Sequence, residues 1–233
     1  MSVPFFYEPT IQETQQPIIL SDATSKHCTQ VLRMRAGETL HLTDGKGKLF
    51  YSKIISADKQ KTVAIIEQII ETLAPEIKRS IGISLLKNAD RFEWMLEKIT
   101  EIGVAEIYPL ICKRTEQLRF RQERMEQIVI AAMLQSQQTW LPILHQTIDI
   151  KKLIEKAKNH QKLIAHCEED NKNLLNKLTA SDDSLILIGP EGDFTLEEIS
   201  IALNHHFIPV SLGVNRLRSE TAGVVSITIL ANI

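Results

Sequence analysis

Two glycine-bearing segments near the C-terminus carry the residue types best suited to hold a small molecule. Residues 184–188 (SLILI) read as a buried strand that runs directly into Gly189-Pro190-Glu191-Gly192-Asp193. A second apolar run, residues 207–212, meets Gly213-Val214-Asn215-Arg216-Leu217-Arg218-Ser219-Glu220-Thr221. In a parallel sheet such turns stand side by side at the carboxyl ends of the strands, where open α/β folds bind their ligands. Backbone amides and carbonyls of the two turns suit an adenine-like ring, with Leu212 and Leu217 as apolar walls. Phosphate chemistry of the common kinds is excluded. The first turn lacks the Lys-Ser/Thr of a P-loop, and GxGxxG occurs nowhere. Alone, the first turn reads equally as a tight turn whose glycines permit positive φ before a capped helix. Its pairing with the second turn is what points to a ligand.

The elements that must position these turns follow from the flanking patterns. Thr195-Leu196-Glu197-Glu198 is a capping box, which starts a helix behind the first turn with Leu196, Ile199, Ala202 and Leu203 as its buried stripe. His205-His206 closes that helix, where a cation complements the dipole. Residues 219–233 are β-branched yet open with Ser219-Glu220-Thr221. We read them as a buried helix, because a terminal strand would have to enter a full sheet. Upstream, residues 81–86 form a strand. Asp90 then stands as N-cap three residues before Glu93, and Phe92, Met95, Leu96, Ile99 and Ile102 follow at helical spacing up to a Gly103 cap. Trp94 falls off that stripe and reads as a partly buried packing residue. A strand over 104–110 ends around Pro109, and a helix covers 122–137. A short strand over 141–144, a Lys-rich helix over 150–158 and a strand over 163–165 complete the alternation. His166-Cys167 has no further ligands at suitable spacing, so no metal site is expected.

Residues 1–72 read as β structure, with a hairpin around Asp44-Gly45 and a further strand at 63–66. The character changes at Leu73-Ala74-Pro75, which sets two domains, 1–72 and 73–233. The 233 residues, 43% hydrophobic and 24% charged, suit a globular protein. No apolar run approaches the roughly 18 residues of a membrane span, and the polar N-terminus is no signal peptide. Three scattered cysteines without CxxC spacing indicate a reduced, cytoplasmic protein. With a net charge of −2, affinity for nucleic acid has to come from local basic patches. Two windows qualify: residues 26–35, with Lys26, Arg33 and Arg35 and no acid, and residues 113–124, with five basic residues against two acids. Either is also readable as a solvated face.

LILIGPEGDFTLEEI followed by LGVNRLRSETA resembles the RsmE family of SPOUT methyltransferases, which methylate N3 of a uridine in 16S ribosomal RNA. VLRMRAGE and DGKGKLF are similar to that family's N-terminal PUA-like barrel, and DRFEWMLEKITEIGVAEIYPL to its first catalytic helix and strand. The resemblance implies a small PUA-like β-barrel followed by an α/β parallel-sheet domain tied in a trefoil knot. It implies S-adenosyl-L-methionine in the knot loops, a homodimer, and 16S rRNA within the small ribosomal subunit as partner. By position, Gly189, Pro190, Glu191, Gly192, Leu212, Gly213, Leu217 and Arg218 would hold the cofactor, with His166 as a neighbouring wall. Arg218 and Glu220 are the catalytic candidates. Arg33, Arg35, Arg91 and Arg114 are the candidate RNA contacts. The chain departs from the family at Asn215-Arg216, where arginine usually stands one position earlier, and at Gln137-Gln138, where the family's pattern around Gln135-Ser136 is lost; Asp193, where glycine is commoner, is a milder change. Competing readings are methylation of another RNA position or a ribose 2′-OH, and an RNA-binding relic without turnover.

Overall fold

The computed structural model describes residues 3–11, 16–168, 172–179 and 181–233. The chain divides into two units, Met1–Ala74 with Met133–Leu141, and Pro75–Ala132 with Pro142–Ile233. Among the described residues no helix is long and apolar enough to cross a membrane.

The first unit is a curled five-stranded sheet. Its strands are β1 (Phe5–Tyr7), β2 (Ile18–Ile19), β3 (Thr39–Thr43), β4 (Lys48–Ser56) and β5 (Val63–Glu71), in the order β1-β3-β4-β5-β2. The β3–β4 hairpin predicted at Asp44-Gly45 is present. The Asp44 carboxylate accepts from the Lys46 and Lys48 amides, and Gly45 takes φ 71°. Register shifts between β4 and β5 at Tyr51/Ser52 and Ile54/Ser56 bend the sheet over a core of Leu40, Leu42, Phe50, Ile54 and Ala64. The all-β reading of this region misses a helical segment, α1 (Asp22–Lys26), which continues into a π-helical turn over His27–Val31. Ser21 caps it, and Ser21 is itself held by the buried Glu8 carboxylate at 2.8 Å. A five-residue helix is too short to show a 3.6-residue period.

The second unit is a parallel sheet with helices on both faces. Its strands are β6 (Lys78–Ser84), β7 (Glu106–Ile111), β8 (Ile143–Leu144), β9 (Ile148–Asp149), β10 (Gln161–Ala165), β11 (Asn173–Leu174), β12 (Asp183–Ile188) and β13 (Ile208–Ser211). Their order is β11-β13-β10-β12-β6-β7-β8, with β9 also on β7. The helices are α2 (Ala89–Ile102), α3 (Gln122–Gln135), whose last three residues belong to the first unit, α4 (Ile150–Lys156), α5 (Leu196–Asn204) and α6 (Ser219–Ala231). Central strands read as unbroken apolar runs because both faces are covered. Leu185 and Leu187 pack with Leu153 and Ile154 of α4 and with Ile199 and Ala202 of α5. Ile81 and Ile83 turn the other way, toward α6 and α2. A Cβ on Gly223 would lie 3.1 Å from Ile83 Cδ1 and 3.3 Å from Met95 Cγ, so the glycine lets α6 lie close against β6 and α2.

Several local expectations change. The N-cap of α2 is Asn88, whose side chain accepts from the Asp90 amide, so Asp90 falls in the first turn. Gly103 closes that helix at φ 98°, as read. Trp94 is 45% exposed and lies outside the core. Pro109 lies within β7 and does not end it. Strand β7 pairs with β8 at Glu106–Ile107 and with β9 at Leu110–Ile111, so proline occupies the interval where no ladder bond needs its missing N–H. On α5 the buried residues are Glu198, Ile199 and Ala202, whereas Leu196 and Leu203 are exposed. The capping box turns the carboxylate inward. The C-terminal segment is the helix α6, as expected.

Candidate functional site

The two glycine turns do not leave adjacent strands. Strand β10 lies between β12 and β13 and pairs in parallel with both, so its end, Ala165-His166-Cys167, fills the space between the turns. This order explains how three separate segments build one wall. The first turn closes with Asp193 N donating to Pro190 O at 2.9 Å. Asp193 itself adopts φ 64°, a left-handed conformation that aspartate tolerates by bonding locally. Its Oδ1 accepts from the Phe194 amide at 2.8 Å, and its Oδ2 accepts from the Cys167 amide at 2.7 Å, tying the turn to the end of β10. Two further segments grip the same turn. The Lys87 amide donates to Glu191 Oε1 at 3.0 Å. Arg114 Nη1 donates to Gly192 O at 2.7 Å and to Phe194 O at 3.3 Å.

Behind the turn, Thr195 and Glu198 form the predicted capping box with both reciprocal bonds. Glu198 is 2% exposed, and its other oxygen accepts from the Lys113 amide at 2.7 Å. The second turn is less braced. Ser211 Oγ donates to Gly213 O at 3.0 Å, Gly213 takes φ 146°, and Val214 is fully exposed. Arg218 ends the turn as the N-cap position of α6.

Two contiguous cavities open at this strand end. The first, about 470 Å³, is lined by Gly189, Pro190, Glu191, Asp193, Leu217, Arg218 and Ser219, with Arg91 opposite. The second, about 350 Å³, is lined by His166, Lys172 and the turn from Val210 to Leu217. Ala165, Cys167, Ile188, Arg216, Leu217 and Ala222 belong to both. Of the sequence candidates, Gly189, Pro190, Glu191, Leu217, Arg218 and Arg91 therefore meet at the first cavity. His166, Leu212 and Gly213 meet at the second. Gly192 lines neither, and its carbonyl holds Arg114 instead. The placement also changes two roles. Arg114, read as an RNA contact, is committed to the first turn. Glu220, read with Arg218 as a catalytic candidate, is 7% exposed and pairs with Arg91, Nε to Oε1 at 3.8 Å. Among the described residues, Arg218 makes no side-chain hydrogen bond or ion pair. Arg33 and Arg35 lie in the first unit, both exposed, with Arg33 at φ 56°.

Sequence reasoning missed Asp193 as a brace and Cys167 as a lining residue common to both cavities. The non-glycine residue in a glycine turn was the available signal for the first, and the strand ending at residue 165 for the second. Burial, with the Asp193 carboxylate second, pushes the Cys167 thiol up from its ordinary value.

What the arrangement can do is bind an adenine-like ring and a charged tail together. Leu212, Leu217, Val210 and Ile188 offer apolar surface, the backbone of the second turn offers amides and carbonyls, and Arg91, Arg216, Arg218 and Lys172 offer positive charge. Comparison with known proteins agrees with this chemistry. The family model described as an RNA methyltransferase domain matches residues 74–231, and one described as an RNA methyltransferase PUA domain matches residues 20–67. A ribosomal RNA small subunit methyltransferase E from Mesomycoplasma hyopneumoniae is 36% identical over 170 residues, covering 70% of this chain and 74% of that protein. The structure solved as a probable rRNA-methyltransferase from Porphyromonas gingivalis superposes with a TM-score of 0.88 at 38% identity, covering 97% of this chain and 95% of the other. The ribosomal RNA small subunit methyltransferase E of Neisseria gonorrhoeae, solved bound to S-adenosyl methionine, has a TM-score of 0.88 at 29% identity, covering 97% and 95%. With its parallel-sheet unit, its curled N-terminal sheet and these matches along its length, the chain belongs to the ribosomal RNA small subunit methyltransferase E family of SPOUT-type RNA methyltransferases.

Proposed function

We propose that this protein transfers the methyl group of S-adenosyl-L-methionine to N3 of a uridine in the 16S rRNA of the small ribosomal subunit. The observation that carries the reading is the double cavity at the ends of β10, β12 and β13, lined by apolar residues of both turns and by Arg91, Arg216 and Arg218. The residues fit the cofactor. Leu212, Gly213 and Leu217 suit its adenine, Gly189, Pro190, Glu191 and Gly192 form the facing loop, and His166 closes the wall between them. When bound, S-adenosyl-L-methionine supplies an electrophilic methyl carbon.

The rest of the chemistry belongs to the chain. Uridine N3 is protonated at neutral pH, and losing that proton spreads negative charge onto O2 and O4. Arg218, without a partner among the described residues and facing the first cavity, stabilises that charge as an oxyanion-hole donor does. Glu220, ion-paired with Arg91 at 3.8 Å and lining neither cavity, helps to steer the proton from the start of α6. Aligning the reactants in one cavity contributes several kcal/mol more. The target base has to be unpaired, because N3 lies on the Watson–Crick edge.

Residues 1–72, with Arg33 and Arg35 exposed, serve as the RNA-binding domain, and 73–233 as the methyltransferase domain. A trefoil knot in the latter is supported by α6, which follows β13, two strands away from β12, yet packs on β6, β12 and α2. A homodimer is supported by the same helix. Its apolar residues are not confined to the buried face, with Val224, Val225 and Ile229 only half-buried, and α2 beside it presents Trp94. Action on ribosomal subunits supports a cytoplasmic location.

The test is methylation of small subunits taken from cells lacking the protein, read by nucleoside mass spectrometry. The expected product is 3-methyluridine; 2′-O-methylation or no product would overturn the proposal. Arg218→Ala is expected to lose single-turnover rate about a hundredfold at saturating cofactor, beyond any loss of cofactor affinity. Retained binding with a retained rate would remove Arg218 from catalysis.

A further inference from the structure

A third cavity in the second unit belongs to neither glycine turn. It measures about 490 Å³ and lies between the first turn of α2 and the segment leading into α3. Leu85, Leu86, Ala89 and Met125 give it an apolar floor. Phe92, buried to 3% exposure, holds Phe120 edge to face, with ring centroids 5.9 Å apart at 87°. Phe120 stays half-buried and lines the cavity, so part of its ring surface remains open to a ligand. Arg119 and Arg121 flank it, and Arg124 lies one turn further on. The charges there do not cancel. Arg124 is matched by Glu93, Nη2 to Oε2 at 2.7 Å. Arg119 and Arg121 are exposed and make no side-chain ion pair among the described residues, while Asp90 is the one other acid lining the space.

We infer that this cavity binds a nucleotide flanking the target uridine, its base stacked on Phe120 and its phosphate held by Arg119 and Arg121. The inference rests on the RNA substrate proposed above and extends it to a second contact. An aromatic face between two unpaired arginines is the combination that binds single-stranded nucleic acid without reading its sequence. Position supports it independently. Asp90, Phe92 and Glu93 line this cavity while Arg91, between them, lines the first cofactor-side cavity. One helical turn thus separates the two. A strand that delivers its uridine to Arg91 and Arg218 passes that turn with its neighbouring nucleotide over Phe120.

The test uses the full chain and a single-stranded RNA of about eight nucleotides, with a central uridine and 2-aminopurine beside it. Wild-type protein is expected to quench the 2-aminopurine by stacking. Phe120→Leu, which keeps an apolar contact on Phe92, is expected to abolish the quench and weaken RNA binding about tenfold. The double variant Arg119→Gln/Arg121→Gln changes exposed side chains only. It should lower the slope of log affinity against log salt by about one. Affinity for S-adenosyl-L-methionine, measured by calorimetry, should stay at the wild-type value in both.

Variants that bind and quench like the wild type, while that protein binds RNA and methylates small subunits, would overturn this site alone. Wild-type protein that neither binds the RNA nor methylates subunits would overturn the proposed function and this inference together. Binding of free uridine monophosphate as tight as that of the strand, with the same dependence on Phe120, would make the cavity a mononucleotide site and overturn the strand reading.

Discussion

Glu198 offers the sharpest test of how the first glycine turn is held. Its buried carboxylate accepts three bonds: from Thr195 N at 2.8 Å, from Thr195 Oγ1 at 2.9 Å and from Lys113 N at 2.7 Å. Glu198→Ala removes all three acceptors at once. The Thr195 hydroxyl can turn to water, but the two backbone amides lose their partner at about 1–3 kcal/mol each. Alanine returns a few tenths of a kcal/mol through its helix propensity, roughly. The net loss is about 3 kcal/mol, and a unit of this size should melt about 6–12 °C lower.

Glu198→Gln is not a conservative change here. Oε1 faces Lys113 N and Oε2 faces Thr195, so the amide NH₂ must oppose a donor on one side. The glutamine variant should fall within about 1 kcal/mol of alanine. Thr195→Ala loses the cap alone, about 1 kcal/mol. Urea denaturation of the three variants, with amide exchange at Lys113 followed by mass spectrometry, supplies both readouts. Lys113 should exchange faster in Glu198→Ala and stay protected in Thr195→Ala. A glutamine variant as stable as wild type would refute the two-oxygen argument. So would a Thr195→Ala loss equal to that of Glu198→Ala, because the Lys113 bond would then contribute nothing.

Three further outcomes follow from the same geometry. Arg114→Gln releases the Gly192 and Phe194 carbonyls, so S-adenosyl-L-methionine affinity by calorimetry should drop about fivefold; unchanged affinity with a lower RNA salt slope would return Arg114 to phosphate binding. Asp193→Ala loses the bonds to Phe194 N and Cys167 N and keeps a Cβ at φ 64°, so it should unfold more readily than Asp193→Gly by about 1 kcal/mol; the reverse order in denaturant would refute the strained-turn account. Burial alone would raise the Glu106 carboxyl, but hydrogen bonds with Tyr108 and His145 outweigh it and hold it below its ordinary 4.5. A lowered folded value means stability that is present above pH 4.5 and lost as pH falls through the folded value, so Glu106→Gln should flatten the acid limb of a stability–pH curve below that point.

Local patterns made the parallel-sheet unit legible because its signals are short-range. The Thr195 capping box, the α2 stripe ending at Gly103 and the opening of α6 are each complete within a few residues. What the sequence hid depends on pairs far apart. Arg114 meets Gly192 across 78 residues, and Asp193 meets Cys167 across 26. No periodicity encodes either. The same limit accounts for the errors. Asn88 and Asp90 are both good caps, and only the chain path chooses between them. Pro109 reads as a breaker until the gap between β8 and β9 is known. Leu196 and Leu203 read as core until Glu198 is seen to take the inward position.

The departure at Asn215-Arg216 can now be argued in space. Arg216 lies on the wall common to both cavities, whereas Asn215 lines the second alone. The guanidinium displaced by one position in sequence therefore still reaches the cofactor-side cavity. Together Arg91, Arg216 and Arg218 face that cavity against Glu191 and Asp193, whose oxygens are engaged by the backbone amides of Lys87, Phe194 and Cys167. Of the three, Arg91 pairs with Glu220, so Arg216 and Arg218, without ion pairs among the described residues, are left to attract a polyanion. Such attraction acts over about a Debye length, roughly 8 Å at physiological salt, so the placement of these arginines governs capture and the net charge of the whole chain does not.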